Sequence, residues 1–442
     1  MFIENDLTFS TQFLIEEGKN IIIRDSIMNF SKRKTKWFND KWWVSPINYG
    51  DDVQNSLDLP KQVFVRDSTI REGEETPGVY YKLEEKLKIV EKLEDIGIMH
   101  IDCGYVGKVQ DQWNLANKIK ELGIKLKTYC HLSSNPINWT DEITKALEAK
   151  IDVIGFGIVL TEWQLQLFTG DKSITPEVMI ALIPSVLKRI KRLGGTAILD
   201  CVDATRAEIP VLIDAIEKGI TNHAKMIMLY DTVGACNVSA MSYLIKQLKP
   251  IIKDIPIGIH VHDDFGLGTA STIAAIEQGA TYMDLVVNKL GDRAGNTSLE
   301  EVIIVLEMLY GIDTGIDLSK LYELSKLVEK LSGVPLPYNK PVVGRNTFIH
   351  ESELHVMSAL EKDKYWMCFT PYRPEVVGQK ENVIFGPTTL HGDALKMKCE
   401  QMGFNNCDVF LEEIKDKVGI AVSKKKFLKE KELEDIIRQI ID

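Results

Sequence analysis

The chain has 442 residues, 45% of them hydrophobic and 26% charged, which is typical of a globular protein with two or three domains. Its formal net charge of −11 argues against nucleic acid or an anionic membrane as a partner. No apolar run reaches the length of a transmembrane helix, and the N-terminus shows no signal-peptide pattern, so we expect a cytoplasmic protein.

The cysteines indicate a reducing compartment. All seven are scattered along the chain, odd in number and free of CxxC spacing, which argues against a structural zinc site. We expect most of them to be buried as small hydrophobic side chains.

Residues 62–311 alternate between strand-like and helix-like segments. The first helical stretch has apolar residues at helical spacing from Leu83 to Leu93, and Gly97 suits the position just after its end. Strands that are buried on both faces and separated by helices imply a parallel sheet, and eight units in about 250 residues match a (β/α)8 barrel. An α/β open sheet of the doubly wound type is the alternative, but no GxGxxG turn follows the first strand. The predicted strands are QVFVRDST, MHIDCG, IKLKTYCHL, DVIGFGIV, TAILDCV, KMIMLYDT, IGIHVHDD and YMDLVVNKL.

Other segments flank this barrel. A tryptophan-rich stretch, KWFNDKWWVSPINYGDDV, precedes it, and these tryptophans must be buried somewhere. A Pro/Gly-rich linker, LSGVPLPYNKPVVGRN, follows it, and the tail beyond suggests small helices. The predicted domains are an N-terminal extension (1–61), the α/β barrel (62–315), a linker with a helical subdomain (316–362) and a C-terminal helical or α+β subdomain (363–442).

The run IGIHVHDDFGLG holds His260 and His262 in the seventh predicted strand. Residues at i and i+2 of a strand point to one face, so the two imidazoles form half of a site for a divalent metal. A hydrogen-bonded pair of structural histidines is the alternative. Glu72 follows the first strand and can meet both imidazoles, because strands one and seven border strand eight in a closed barrel. Taken alone, Glu72 could be a solvated loop carboxylate, and Arg71 could belong to a surface ion pair. Their position beside the histidines favours an active site.

Four motifs, RDSTIREGEETPG, DTVG, HVHDDFGLG and GDRAGNTSLEEV, resemble those of the DRE-TIM metallolyase family. The resemblance covers residues 62–442, and HESELH and FTPYRPEVVG resemble post-barrel segments of its isopropylmalate, homocitrate and citramalate synthase branch. It implies a TIM-barrel acyltransferase that joins acetyl-CoA to a 2-oxo acid by Claisen condensation, with one divalent metal (Zn, Mn, Mg or Fe) as cofactor. It also implies a homodimer in which the post-barrel segment of one chain covers the barrel mouth of the other.

The resemblance assigns a role to each candidate residue. The implied metal ligands are Glu72, His260, His262 and Asn296. The implied catalytic residues are Arg71 for the developing negative charge, His355 as general base and Tyr372 for thioester hydrolysis. For His355, a structural or capping role on a helix is the alternative. The residues expected to bind substrate are Arg71, Glu75, Asp102, His131 and Thr232.

The fifth strand departs from the family pattern. The family has a Glu before Asp203 that pairs with the catalytic histidine, but this chain has Val202 there. Asp200 lies on the same strand face, and we expect it to act as a catalytic residue that orients His355. Glu353 is the alternative partner. These departures predict a divergent specificity, and an HMG-CoA-lyase-like enzyme or a non-catalytic paralogue remains an alternative function.

Overall fold

A closed barrel of eight parallel strands forms the centre of the protein. The computed structural model describes residues 35–133, 138–404 and 406–441, so the N-terminus that lacks a signal-peptide pattern lies outside the described residues. Each strand pairs with the next along the chain, and β8 pairs with β1, which confirms the predicted (β/α)8 barrel and excludes an open sheet. The barrel strands are β1 (Phe64–Asp67), β2 (His100–Asp102), β3 (Lys127–His131), β4 (Val153–Val159), β5 (Ala197–Val202), β6 (Ile227–Asp231), β7 (Ile257–Val261) and β8 (Tyr282–Leu285).

Helices surround the barrel and build the region after it. None of the helices in the described ranges is both long and apolar enough to cross a membrane. The helices up to β8 are α1 (Asp51–Gln54), α2 (Leu83–Asp95), α3 (Gln110–Glu121), α4 (Trp139–Glu148), α5 (Glu162–Thr169), α6 (Pro176–Arg192), α7 (Ile209–Thr221), α8 (Val238–Ile252) and α9 (Gly268–Glu277). Those after β8 are α10 (Leu299–Val305), α11 (Leu321–Ser332), α12 (Glu353–Leu360), α13 (Lys362–Tyr365), α14 (Asp393–Gln401), α15 (Cys407–Lys425) and α16 (Glu430–Ile441).

Helix α2 shows why the sequence pattern predicts these elements well. Ile89, Val90 and Leu93 form its buried stripe against the barrel, whereas Leu83 at its start is 36% exposed. The helix ends before Gly97, whose φ of 98° is a left-handed conformation that favours glycine. The predicted end is therefore confirmed.

The register of β8 with its two neighbours determines which side chains meet inside the barrel. Asp284 on β8 lies opposite Arg66 of β1 on one side and opposite His260 of β7 on the other. Because neighbouring parallel strands present aligned residues to the same face, these side chains lie at one level of the interior. The same level is close to the carboxyl ends of the strands, where barrel enzymes hold their active sites.

The region after the barrel has its own apolar core and a small sheet. Val356, Phe385, Ile414 and Leu433 are among the buried residues of this core. Its three strands are β9 (Ile349–His350), β10 (Asn382–Phe385) and β11 (Leu428–Lys429), with β10 in the middle. The sequence pattern predicted helices here but no individual strand, because strands of two to four residues show too little alternation. The predicted domain boundaries stay a prediction.

One cysteine pair differs from the expectation for a reducing compartment. Cys399 of α14 and Cys407 of α15 form a disulfide, with their Cα atoms 6.2 Å apart. The chain turns between the two helices over a sequence separation of eight residues, which brings the two thiols together. Cys103, Cys130 and Cys201 are free and buried, as predicted.

The tryptophan-rich stretch connects the barrel to the post-barrel region. The amide of Trp43 donates to the carbonyl of Pro371 at 2.9 Å, and Trp42 forms a β-bridge with Tyr372. At the barrel end, the hydroxyl of Tyr49 donates to a barrel carbonyl at 2.8 Å. Trp43 stays 40% exposed, so the expectation that these tryptophans are buried holds only in part.

Candidate active site

The carboxyl ends of the barrel strands open onto a cavity of about 540 Å³, here called the barrel-mouth cavity. Side chains from the ends of β1, β3, β5, β6 and β7 converge on it, as the position of active sites in this fold predicts. Eight of the candidate residues line it, namely Arg71, Glu72, Glu75, His131, Asp200, Thr232, His260 and His262.

Three of these side chains form a group with the geometry of metal ligands. Glu72, His260 and His262 are buried, and each offers one ligand atom within 4.8 Å of the others. The distance from His260 Nε2 to the nearer oxygen of Glu72 is 3.5 Å. One carboxylate and two imidazoles are a mixed oxygen and nitrogen set that suits a divalent metal and leaves positions open for a ligand.

Unpartnered buried atoms around this group support its use as a metal site. Glu72 Oε2, His262 Nδ1 and Asn296 Oδ1 are buried and lack a hydrogen-bond partner among the described residues. Unsatisfied buried polar atoms are rare in native proteins, and three such atoms in one place indicate that a ligand such as a metal ion would bind to them. The amide nitrogen of Asn296 lies 3.1 Å from His260 Nε2, and rotation of the amide by 180° turns its oxygen to the same side.

The surroundings of the two imidazoles affect their hydrogen bonding and protonation. Asp284 Oδ2 accepts a hydrogen bond from His260 Nδ1 at 2.7 Å, which leaves the lone pair of Nε2 directed toward Glu72. Burial, and then His260, lowers the pKa of His262 to about 2, so that ring is neutral at pH 7. The His262 ring therefore presents a lone pair to a metal.

Asp284 and Arg66 lie behind His260, and the sequence pattern singled out neither of them. Arg66 donates to both oxygens of Asp284, at 3.2 Å from Nε and 2.8 Å from Nη2. Burial would raise the pKa of Asp284, but Arg66 and His260 outweigh it and hold this carboxyl ionised. A lone acidic residue in the apolar strand YMDLVV was the available signal.

Arg71 lies directly beside the metal-ligand group. It forms ion pairs with Glu72 and, at 3.3 Å, with Glu75. Its Nε donates to Asp102 Oδ2 at 2.8 Å, so Asp102 orients the guanidinium from behind. Asp102 was predicted to bind substrate, but its oxygens already accept hydrogen bonds from Arg71, His131 and the backbone amide of Gly104.

His131 bridges two carboxylates. Its Nε2 lies 3.0 Å from Asp102 Oδ2, and its Nδ1 lies 2.9 Å from Asp200 Oδ2. Burial lowers the pKa of His131, but the charges and hydrogen bonds of Asp102 and Asp200 outweigh it and raise the pKa to about 9. Both ring nitrogens are engaged by carboxylates in this arrangement, and the predicted role of His131 in substrate binding stays a prediction.

The expected contact between Asp200 and His355 is not formed within one chain. Asp200 pairs with His131 instead. Glu353, the alternative partner, accepts hydrogen bonds at the start of α14, from the amides of Gly392 and Ala394. Two backbone amides thus hold the carboxylate that was a candidate for orienting His355.

His355 and Tyr372 do not line the barrel-mouth cavity of their own chain. The ring of His355 stacks on Phe369 with centroids 4.0 Å apart, and burial, then His350, lowers its pKa. Tyr372 packs against Phe348, and burial raises its pKa to about 12. Both predicted catalytic side chains therefore lie in the post-barrel region.

Comparison with known proteins agrees with this architecture. A family model described as HMGL-like matches residues 62–328. The probable 2-isopropylmalate synthase of Ignicoccus hospitalis is 34% identical over 343 residues, covering 78% of this chain and 83% of that protein. A homocitrate synthase of Methanopyrus kandleri is 31% identical over 394 residues, covering 89% of this chain and 96% of that protein.

A solved structure shares the barrel. The hydroxymethylglutaryl-CoA lyase from Pseudomonas aeruginosa superposes with a TM-score of 0.54 at 18% sequence identity. The match covers 95% of the lyase but 63% of this chain. At this identity the likeness concerns the fold alone.

Proposed function

This chain belongs to the HMGL-like family, and we propose that it is a metal-dependent acetyl-CoA:2-oxo acid C-acyltransferase. The observation that carries the proposal is the convergence of Glu72, His260 and His262 beside Arg71 in the barrel-mouth cavity. Their unpartnered atoms fit a metal, and the cavity holds a fixed cation next to it.

Different residues of the cavity have different roles in the condensation. A divalent metal (Zn, Mn, Mg or Fe) bound by Glu72, His260, His262 and Asn296 supplies Lewis-acid polarisation of the keto group of a 2-oxo acid. Arg71, held by Asp102, stabilises negative charge as it develops on oxygen. The hydroxyl oxygen of Thr232 accepts from the amide of Asp203 at 2.9 Å, so its hydrogen remains free to donate to a substrate carboxylate.

The base is supplied by the post-barrel region of a second subunit. His355 removes a proton from the methyl group of acetyl-CoA, and Tyr372 assists hydrolysis of the product thioester. Neither lines the cavity of its own chain. The exposed side chain of Phe369 (41%) stacks on His355, and Leu354 (62% exposed) precedes His355 in the chain, so apolar surface suited to a contact lies near this histidine. A homodimer with exchanged post-barrel segments completes both active sites.

The extent of the matches favours a synthase over a lyase. The homocitrate synthase relative covers 89% of this chain, which requires most of the post-barrel region. The match covers 95% of the lyase structure but only 63% of this chain. The family resemblance implies that a synthase takes its base from the post-barrel segment, whereas the match to that lyase leaves much of this region uncovered.

The test is release of free thiol from acetyl-CoA across a panel of 2-oxo acids, with metal-free and metal-loaded protein. We expect thiol release with at least one oxo acid, and only with metal present. His260→Ala should abolish it. Cleavage of a 3-hydroxy-3-carboxylate without condensation would favour the lyase, and no reaction in either direction would favour a non-catalytic paralogue.

Exchange between subunits is tested by complementation. Arg71→Ala and His355→Ala chains are each expected to be inactive alone. Co-expressed, they form heterodimers with one intact site, and random mixing restores about a quarter of the wild-type activity. No restoration in verified heterodimers contradicts the exchange, because a site built within one chain stays broken in both.

A further inference from the structure

Four charged side chains cross the floor of the barrel-mouth cavity in an unbroken row. From β5 to the end of β1 they are Asp200, His131, Asp102 and Arg71, joined at 2.9, 3.0 and 2.8 Å. We propose that Asp200 is a positioning residue, which clamps His131 as a doubly protonated imidazolium against Asp102 and thereby holds Arg71. The role of Arg71 in catalysis rests on the proposed function, but the clamp itself does not.

The chemistry of the ring explains why the clamp needs a cation. A neutral imidazole has one N–H, whereas His131 faces an oxygen of a buried carboxylate at each of its two nitrogens. A neutral ring would place a lone pair against one of these anionic oxygens and lose that contact. Tyr105, whose ring centroid lies 5.9 Å from that of His131, is a further titratable side chain against the ring, and burial raises its pKa. The imidazolium is thus held by Asp102 and Asp200 together.

Strand β4, which lies between His131 on β3 and Asp200 on β5, leaves room for the contact between these two side chains. Gly155 of β4 lies beside His131 of β3 in the sheet register. A Cβ at Gly155 would collide with the Asp200 carboxylate and lie 3.1 Å from His131 Nδ1. At Gly157 on the same strand, a Cβ would meet nothing closer than Val202 at 3.8 Å. Glycine at 155 therefore clears the space through which a β3 side chain reaches a β5 side chain.

Asp102 links the charge of His131 to the position of Arg71. Its Oδ2 accepts from His131 Nε2 and from Arg71 Nε, so one oxygen is shared by two cations. If His131 loses its charge, Arg71 becomes the one charged donor to Asp102 Oδ2, while the amide of Gly104 still donates to Oδ1. Arg71 then loses part of the fixed orientation that places its Nη1 beside Glu72 and Glu75.

The first test follows the protonation of His131 by nuclear magnetic resonance. Full-length protein with 15N-labelled histidine is titrated from pH 6 to 10, and the His131 signals are assigned with His131→Gln. In the wild type both ring nitrogens should stay protonated up to about pH 9. Asp200→Asn removes the charge while keeping the side-chain size, and the transition should move down by about 1–3 pH units.

Two glycine variants control for damage to the fold. Gly155→Ala should also shift the His131 transition down, since it separates the pair without changing a charged residue. Gly157→Ala on the same strand should leave it unchanged. If His131 titrates alike in the wild type, Asp200→Asn and Gly155→Ala, the clamp is wrong.

The second test asks whether Asp200 acts through His131 on Arg71. Asp200→Asn should lower kcat about 10- to 100-fold with little change in the KM for the oxo acid, because a displaced Arg71 weakens the transition state. In the His131→Gln background the same substitution should have almost no further effect. Additive losses contradict the linkage.

A third measurement does not depend on turnover. The Nε–H signal of 15N-labelled Arg71, assigned with Arg71→Lys, should be protected by its bond to Asp102 in the wild type and shift in Asp200→Asn. An unchanged signal overturns the last link of the row. Absence of thiol release with a normal His131 titration contradicts the proposed function and leaves the clamp standing.

Discussion

Asp284→Asn tests whether a carboxylate behind His260 sets the affinity of the metal site. Asp284 is 2% exposed and accepts from His260 Nδ1 at 2.7 Å and from Arg66 Nη2 at 2.8 Å. Asparagine keeps the size and one oxygen for His260. It removes the negative charge. Because His260 Nδ1 and Arg66 Nη2 both donate to Oδ2, an amide oxygen at that position keeps both bonds, and the amide nitrogen then faces Arg66 Nε, whose bond to Oδ1 is lost.

The expected loss has two parts of different size. Removal of a carboxylate that supports a metal-binding histidine costs about 10- to 100-fold in metal affinity, or ~1.4–2.7 kcal/mol. Breaking a buried ion pair with Arg66 costs about 3–5 kcal/mol of folding stability. The two parts separate experimentally, because affinity is measured on protein that is still folded.

The assay is calorimetric titration of metal into metal-free protein, with urea unfolding in parallel. Asp67→Asn is the matched control. Asp67 is another buried carboxyl at the end of a barrel strand, but it accepts from the amide and hydroxyl of Thr69, both at 2.9 Å, rather than from His260. We expect metal affinity to fall in Asp284→Asn and to stay at the wild-type value in Asp67→Asn. Folded Asp284→Asn with wild-type affinity would refute the reasoning, as would an equal loss in the control.

Three further outcomes are expected. His260→Ala or His262→Ala should abolish both stoichiometric metal in elemental analysis and the rise in Tm with added metal, which in the wild type reflects a stabilisation of about 2.7 kcal/mol at 100 times the Kd. Burial raises the pKa of Asp67 to about 8, so the contribution of Asp67 to stability should be full below pH 4 and be lost, by up to about 1.4 kcal/mol per pH unit, as the pH rises toward 8; the same urea profile over this range in the wild type and in Asp67→Asn counts against this. Burial and His350 lower the pKa of His355, so a catalytic base there stays neutral to lower pH than a free histidine, and the acid limb of kcat should lie below pH 6.5; a limb above that value excludes His355 as the base.

Local patterns predicted the barrel and the metal-ligand group well. The spacing of His260 and His262 fixes their common face, and barrel closure brings Glu72 to them across β8. These inferences require only the alternation of side chains along a strand and the order of the strands in the barrel. Asp284 escaped notice because its importance depends on register, which aligns it with Arg66 and His260 from opposite sides. Register is a relation between distant segments, and one sequence does not display it.

Asp200 shows where prediction from alternation reaches its limit. The period of two placed Asp200 on the inward face of β5, and its side chain does line the barrel-mouth cavity. The partner expected for it was His355, whereas the structure pairs it with His131, two strands away. That contact exists because Gly155 leaves room on the intervening strand. Alternation therefore gives the direction of a side chain, but its partner depends on the volume of the side chains on the strand in between. A glycine on β4, between charged residues on the two flanking strands, is the pattern that would have revealed this pair.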